Sequence, residues 1–100
     1  MYLIKFSTDA ETDADEAGEW YDEKSAELSI KFYEDVNKAI LTIQKSPKLY
    51  PLHRHYKSIR RKNLSVFPYK IFYPVIDKTV FIKAILHHKR STKFIKIRLK

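Results

Sequence analysis

The chain contains no cysteine and only one glycine, one tryptophan and one methionine among its 100 residues. Without a thiol there is no disulfide framework and no thiolate metal site, which agrees with a reducing compartment. Gly18 is the sole glycine and lies within a helical pattern, so no glycine-rich phosphate loop can form, and an enzyme built on such a loop is disfavoured. With four prolines and 44% hydrophobic residues, the chain is not of low complexity and has ample material for a core. Its first apolar stretch, Tyr2 to Phe6, is too short for a signal peptide or a membrane span, so a cytoplasmic protein without a membrane partner is expected. At this length one domain over 1–100 is expected, with little room for a deep cavity, so function belongs on a face.

Acid is nearly missing from the second half. Residues 1–50 carry six lysines and eleven acids, a net of −5, whereas residues 51–100 carry fourteen Lys and Arg and a single acid, Asp77, a net of +13. The formal total of +8 therefore averages two layers of one fold: an acidic, solvated one and a basic one that carries the working surface.

Tyr2, Ile4 and Phe6 alternate with Leu3 and Lys5, the period of a short strand. Thr8 with Glu11 has the form of a capping box, which predicts a helix from about Asp9, acidic in its first turn, with Ala10, Ala14, Ala17 and Tyr21 as a small-residue stripe. Ser25 caps a second helix whose Leu28, Phe32, Val36, Ala39, Ile40 and Ile43 recur at helical spacing until Ser46-Pro47. The short joint between them makes the pair an antiparallel hairpin, with Trp20 and Tyr21 in its core.

Pro47 to Tyr56 has no period and reads as a loop, with His53 and His55 solvated. The period then becomes two. Ser58 to Leu64, Tyr69 to Ile76 and Thr79 to His87 are predicted strands, the last two joined by a tight turn at Asp77-Lys78. Phe94 to Lys100 alternates Ile95, Ile97 and Leu99 with Lys96, Arg98 and Lys100, and residues 91–100 are expected to be a basic tail or an extra edge strand. The predicted fold is α+β, β-α-α-β-β-β, with the helical hairpin on one face of an antiparallel sheet. The other face, carrying Lys70, Phe72, Pro74, Phe81, Lys83, Ile85 and His87, is expected to be incompletely covered and to meet a ligand.

In Arg60-Arg61-Lys62, strand geometry puts Arg60 and Lys62 on one face and Arg61 on the other. The cluster either blunts a sheet edge or meets phosphate or an acidic partner. His87-His88-Lys89-Arg90 lacks the ligand geometry of a metal site, so no metal or cofactor is expected. Two histidines beside cations suit acid–base cleavage of RNA through its 2′-hydroxyl, and equally suit a solvated strand end.

Glu19-Trp20-Tyr21 after an opening strand, the helix ending at Ser46-Pro47, Ile59-Arg60-Arg61, the stretch Phe67-Pro68-Tyr69-Lys70-Ile71-Phe72-Tyr73 and Leu86-His87 together resemble the RelE/ParE superfamily of toxins from type II toxin–antitoxin pairs, over nearly the whole chain. The details look more like the ParE and plasmid-stabilisation branch. The resemblance implies a toxin wrapped by a cognate antitoxin in a hetero-oligomer, with DNA gyrase as the target and no catalysis. It also leaves a RelE-like alternative, a metal-independent endoribonuclease acting on mRNA at the ribosome. In that alternative Lys70 stands where ribonuclease members place an arginine, Arg61 and Arg90 stabilise phosphate, and His87 or His88 supplies acid or base. Lysine in place of arginine loses the bidentate fork, and the tail has no evident catalytic tyrosine. The target or antitoxin surface implied is Arg60, Lys62, Lys70, Phe72, Lys83 and Arg90. A non-toxic nucleic-acid-binding module would need only the basic strands.

Overall fold

The computed structural model describes residues 1–100 as β1 (Leu3–Phe6), α1 (Thr8–Asp22), α2 (Ala26–Lys45), a single 3-10 turn at Pro47–Leu49, β2 (Ile59–Asn63), β3 (Tyr69–Ile76), β4 (Thr79–Ile82), β5 (Ala84–His87) and α3 (Thr92–Leu99). The strands form one sheet in the order β1-β4-β3-β2, with β5 following β4 along the same side of β3. Every pair is antiparallel except β1 with β4. The α+β architecture with a helical hairpin on one sheet face is as the sequence predicts.

The cap of α1 is Ser7 rather than Thr8. Ser7 has extended backbone (φ −73°, ψ 158°), and its Oγ accepts the Ala10 N–H at 3.0 Å while its hydroxyl donates to the Lys83 carbonyl at 3.0 Å. One side chain thus starts the helix and ties it to the sheet. Ser25 caps α2 by accepting the Leu28 N–H. Ala10 and Ala17 let α1 lie close, and α2 buries Phe32, Val36, Ala39 and Ile43 against Ile71, Tyr73, Val80 and Ile82. The Tyr73 hydroxyl, buried in this core, donates to the Pro47 carbonyl at 2.7 Å. Tyr21 packs here edge-on to Phe67, but Trp20, expected in the core, is 52% exposed beneath the Lys24 ammonium.

The predicted strand Thr79 to His87 is broken at Lys83. Val75 pairs with Val80 and Phe72 with Ala84, so two residues of β3 face three of the opposing strand. The extra residue is a bulge, and Pro74, which has no N–H to give, sits opposite the interruption. Side-chain parity flips there. Val80, Ile82 and Ile85 face the hairpin, whereas Ala84 and Leu86 face the other way, reversing the predicted assignment of Ala84, Ile85, Leu86 and His87.

The far face has its own cover. Residues 91–100 form neither an edge strand nor a loose tail: Ser91 accepts the Phe94 N–H at 3.1 Å and opens α3, which buries Leu99 over Ile59, Phe72, Ala84 and Leu86. Ile97, which supplied the apparent alternation, is 61% exposed; Phe94, Ile95 and Leu99 fit a helical stripe instead. Arg98 fastens α3 to α1 through Asp13, and the Tyr56 hydroxyl donates to the Lys96 carbonyl at 3.2 Å.

Candidate functional site: two recesses on opposite faces

Cross-strand register decides which of the predicted residues can act together. Arg60 opposes Tyr73 and Lys62 opposes Ile71, so both lie on the hairpin face at the β2 edge. There Arg60 donates to the Tyr50 carbonyl at 2.7 Å and the Lys62 ammonium lies 4.9 Å from the centre of the Tyr50 ring. Both therefore hold the loop after α2 against the sheet edge. Arg61 opposes Phe72, on the α3 face, and Lys70 opposes Leu86, on that same face.

His87 opposes Tyr69 and so lies on the hairpin face, its ring edge-on to Tyr69 at 5.0 Å. Its Nδ1 accepts the Lys89 N–H at 3.0 Å, and burial, then Lys89, His88 and Arg90, hold its pKa below the ordinary histidine value. His88 is exposed in the turn after β5, where its N–H donates to the Pro68 carbonyl. The Arg90 guanidinium lies over the Phe94 ring at 4.4 Å. The Lys83 ammonium donates to the Lys100 carbonyl at 3.3 Å. Phe72, expected to touch a partner, is 1% exposed beneath α3 and belongs to the second core.

Two recesses follow from this division. The first, of about 570 Å³, lies between α1 and β5 and is lined by Trp20, Tyr21, Tyr69, His87, Lys89 and Arg90, with Asp13 and Glu16 on its wall. Burial and the neighbouring Tyr21 raise the Tyr69 hydroxyl to a pKa of about 12, so it stays protonated near neutral pH. The second, of about 440 Å³, lies on the other face between the 51–55 loop, β2, β3 and α3. It joins Arg61 and Lys70, as the candidate nuclease set requires, but adds His53, Arg54 and His55 in place of His87, His88 and Arg90.

His53, expected in solvent from its loop position, thus belongs to this recess. It is half-buried, and its Nδ1 accepts the N–H groups of His55 at 3.1 Å and Tyr56 at 3.2 Å. Its ring lies 6.1 Å from Phe72 and 5.5 Å from Tyr56. Burial first, then His55, Arg61, Lys70 and Lys96, lower its pKa. The only local signal was two histidines two residues apart ahead of a basic strand. What brings them to the site is the run of 51–53 beside β2, where Leu52 bridges Arg60 and His53 donates to the Ile59 carbonyl at 2.6 Å.

A helical hairpin on a mostly antiparallel sheet, with a short helix and a basic recess on the reverse, defines a class of small α+β proteins that present charge on a face. Solved structures share this fold: a chromosomal ParDE toxin–antitoxin system from P. aeruginosa (TM-score 0.76, 19% identity, covering 87% of this chain and 96% of that one) and the isolated E. coli RelE toxin (TM-score 0.64, 20% identity, 97% and 95%). The intact E. coli RelBE toxin–antitoxin complex is also similar (TM-score 0.63, 21% identity, 90% and 100%). No curated protein matches by sequence. The family model for the ParE toxin of type II toxin–antitoxin systems, parDE, matches residues 4–92. The chain belongs to the ParE toxin family.

Proposed function

We propose that this protein is the toxin of a two-protein pair, silenced in the cytoplasm by a cognate antitoxin in a hetero-oligomer, and that once released it inhibits DNA gyrase without itself being an enzyme. Membership of the ParE family over residues 4–92 carries the reading. Similar folds in a ParDE system and in a RelBE toxin–antitoxin complex support the antitoxin as a separate chain. The division of charge supports where an acidic partner would dock: eleven acids lie in the first fifty residues and fourteen Lys and Arg in the last fifty.

Against the endoribonuclease reading, His87, one of the two histidines it offers as acid or base, lies on the face opposite Lys70. That reading keeps one point in its favour, since His53 shares the recess of Arg61 and Lys70. Induction in a bacterial host should arrest growth, and co-expression of the adjacent reading frame should relieve it; unimpaired growth excludes a toxin. Purified protein should block supercoiling by gyrase. Ribosome-dependent cleavage of mRNA with gyrase unaffected would replace the first reading by the second.

A further inference from the structure

Helix α2 turns to solvent an outer side that is not purely polar. Ile30 is 61% exposed and Leu41 58% exposed. At 3.6 residues per turn the two fall within about 20° of each other around the helix and about 16 Å apart along it. Beside them runs a second stripe, Glu27, Glu34, Lys38 and Lys45, all exposed and within about 40° of one another. The macrodipole explains an acid in the first turn and a lysine in the last, but it does not explain the two aliphatic side chains.

These residues are self-complementary about Val36. Glu27 and Lys45 lie equally far from it along the chain, as do Glu34 and Lys38, and Ile30 and Leu41 straddle nearly the same point. A two-fold axis at the level of Val36 lays a second α2 antiparallel on the first, and each apolar or charged group then meets its complement: Ile30 against Leu41, Glu27 against Lys45, Glu34 against Lys38. A parallel pair would set acid against acid and lysine against lysine. The charges are also free to pair. The two salt bridges of the fold, Glu27 with Lys31 and Asp13 with Arg98, leave Glu34, Lys38 and Lys45 without an ionic partner, although Glu34 and Lys38 are one helical turn apart.

We propose that the outer face of α2 is a homodimer interface, on which a second copy of this chain docks with its own α2 antiparallel. The surface is isologous, so one stripe supplies both halves of every contact. One helix face with two aliphatic anchors is a small interface, and the pair is accordingly weak, with a Kd on the order of 10–100 µM. No residue of α2 lines either recess, so the pairing stands apart from both. It rests neither on gyrase inhibition nor on an antitoxin, and it survives the failure of either.

Sedimentation velocity of the purified full chain between about 5 and 500 µM tests it, and the mean mass should rise from monomer toward dimer across that range. Ile30→Glu/Leu41→Glu should stay monomeric throughout with its circular dichroism unchanged, because both side chains are exposed. Glu27→Lys/Glu34→Lys and Lys38→Glu/Lys45→Glu should each be monomeric alone, and an equimolar mixture should recover the dimer, since every acid again meets a lysine. The chain has no cysteine, so orientation can be read by cross-linking. Ile30→Cys mixed with Leu41→Cys should give a disulfide-linked dimer, whereas neither should link to itself, the two like positions being too far apart in an antiparallel pair. A chain monomeric up to about 500 µM, a dimer that persists in Ile30→Glu/Leu41→Glu, a mixture that fails to recover it, or self-linking of Ile30→Cys overturns the proposal. In the first case, protection of Ile30 and Leu41 by an added antitoxin would assign the face to that partner instead.

Discussion

Asp13 receives both Nη atoms of Arg98, at 2.9 and 2.7 Å, and its Oδ2 also accepts the backbone N–H of Ile85 at 3.0 Å. One carboxylate thereby joins three elements. It satisfies an N–H on the edge of β5, which has no strand beyond it, and it pins α3 across the sheet. This hydrogen bonding, the largest influence on the guanidinium, raises its pKa above the ordinary arginine value. Asp13→Ala should therefore cost roughly 2–3 kcal/mol, since it strands an N–H and a partly buried guanidinium together. Arg98→Ala should cost less, about 1 kcal/mol, because Asp13 keeps the Ile85 N–H and some contact with water. Urea denaturation measures both. Hydrogen exchange at Phe94 to Arg98 should speed up in either variant; unchanged protection would show that α3 is held by its apolar stripe alone.

What could be read in the sequence follows the range of the interactions. The hairpin was legible because Phe32, Val36, Ala39 and Ile43 repeat within a single helix. The β3 pattern was legible for the same reason, with Ile71 and Tyr73 on the core side. The bulge at Lys83 was not, since one extra residue changes the register with β3 without altering composition, and everything after it faces the wrong way. Helix α3 was misread because Ile95, Ile97 and Leu99 satisfy a period of two, and only the apolar floor of Phe72, Ala84 and Leu86 makes the helical face the better one. Both features shape the site. Helix α3 buries Phe72, and the register, which the sequence leaves open, places His87 on the face opposite Lys70.

Asp35 is a buried carboxylate with a structural task. It is 6% exposed, and its Oδ2 accepts the N–H groups of Val66 at 2.9 Å and Phe67 at 2.8 Å, which fixes the turn between β2 and β3 against α2. Asp35→Ala should destabilise by roughly 2–3 kcal/mol, as two N–H groups lose a charged acceptor. Asp35→Asn, whose carbonyl oxygen can take the same two bonds, should recover about half of that loss. Equal losses in thermal or urea melts would show that the charge, and not the acceptor geometry, matters.

Gly18 is required by a close approach and not by its backbone angles. A Cβ placed on it would collide with the Tyr33 hydroxyl, whose ring crosses α1 there and whose OH donates to Asp15 at 3.4 Å. Alanine should gain about 1 kcal/mol of helix propensity in α1. In the native background that gain should vanish, because Tyr33 must swing away from its seat. In a Tyr33→Ala background Gly18→Ala should stabilise by about 0.5–1 kcal/mol. A double-mutant cycle with no coupling would refute the contact.

Two histidines make stability depend on pH in a defined direction. His53 and His87 both have folded pKa values below 6.5, chiefly through burial and then through neighbouring basic groups. On acidification the unfolded chain takes up protons at these sites first, so their stabilising contribution is complete above the unfolded pKa of about 6.5 and is lost as pH falls through the lower folded values. For these groups the denaturation midpoint should decline from about pH 7 toward pH 5. His53→Asn should flatten that decline while retaining the loop's acceptor, and His87→Asn should flatten it separately, since the two rings lie on opposite faces of the sheet. The double variant should add the two effects, and an undiminished slope in it would assign the pH response to other groups.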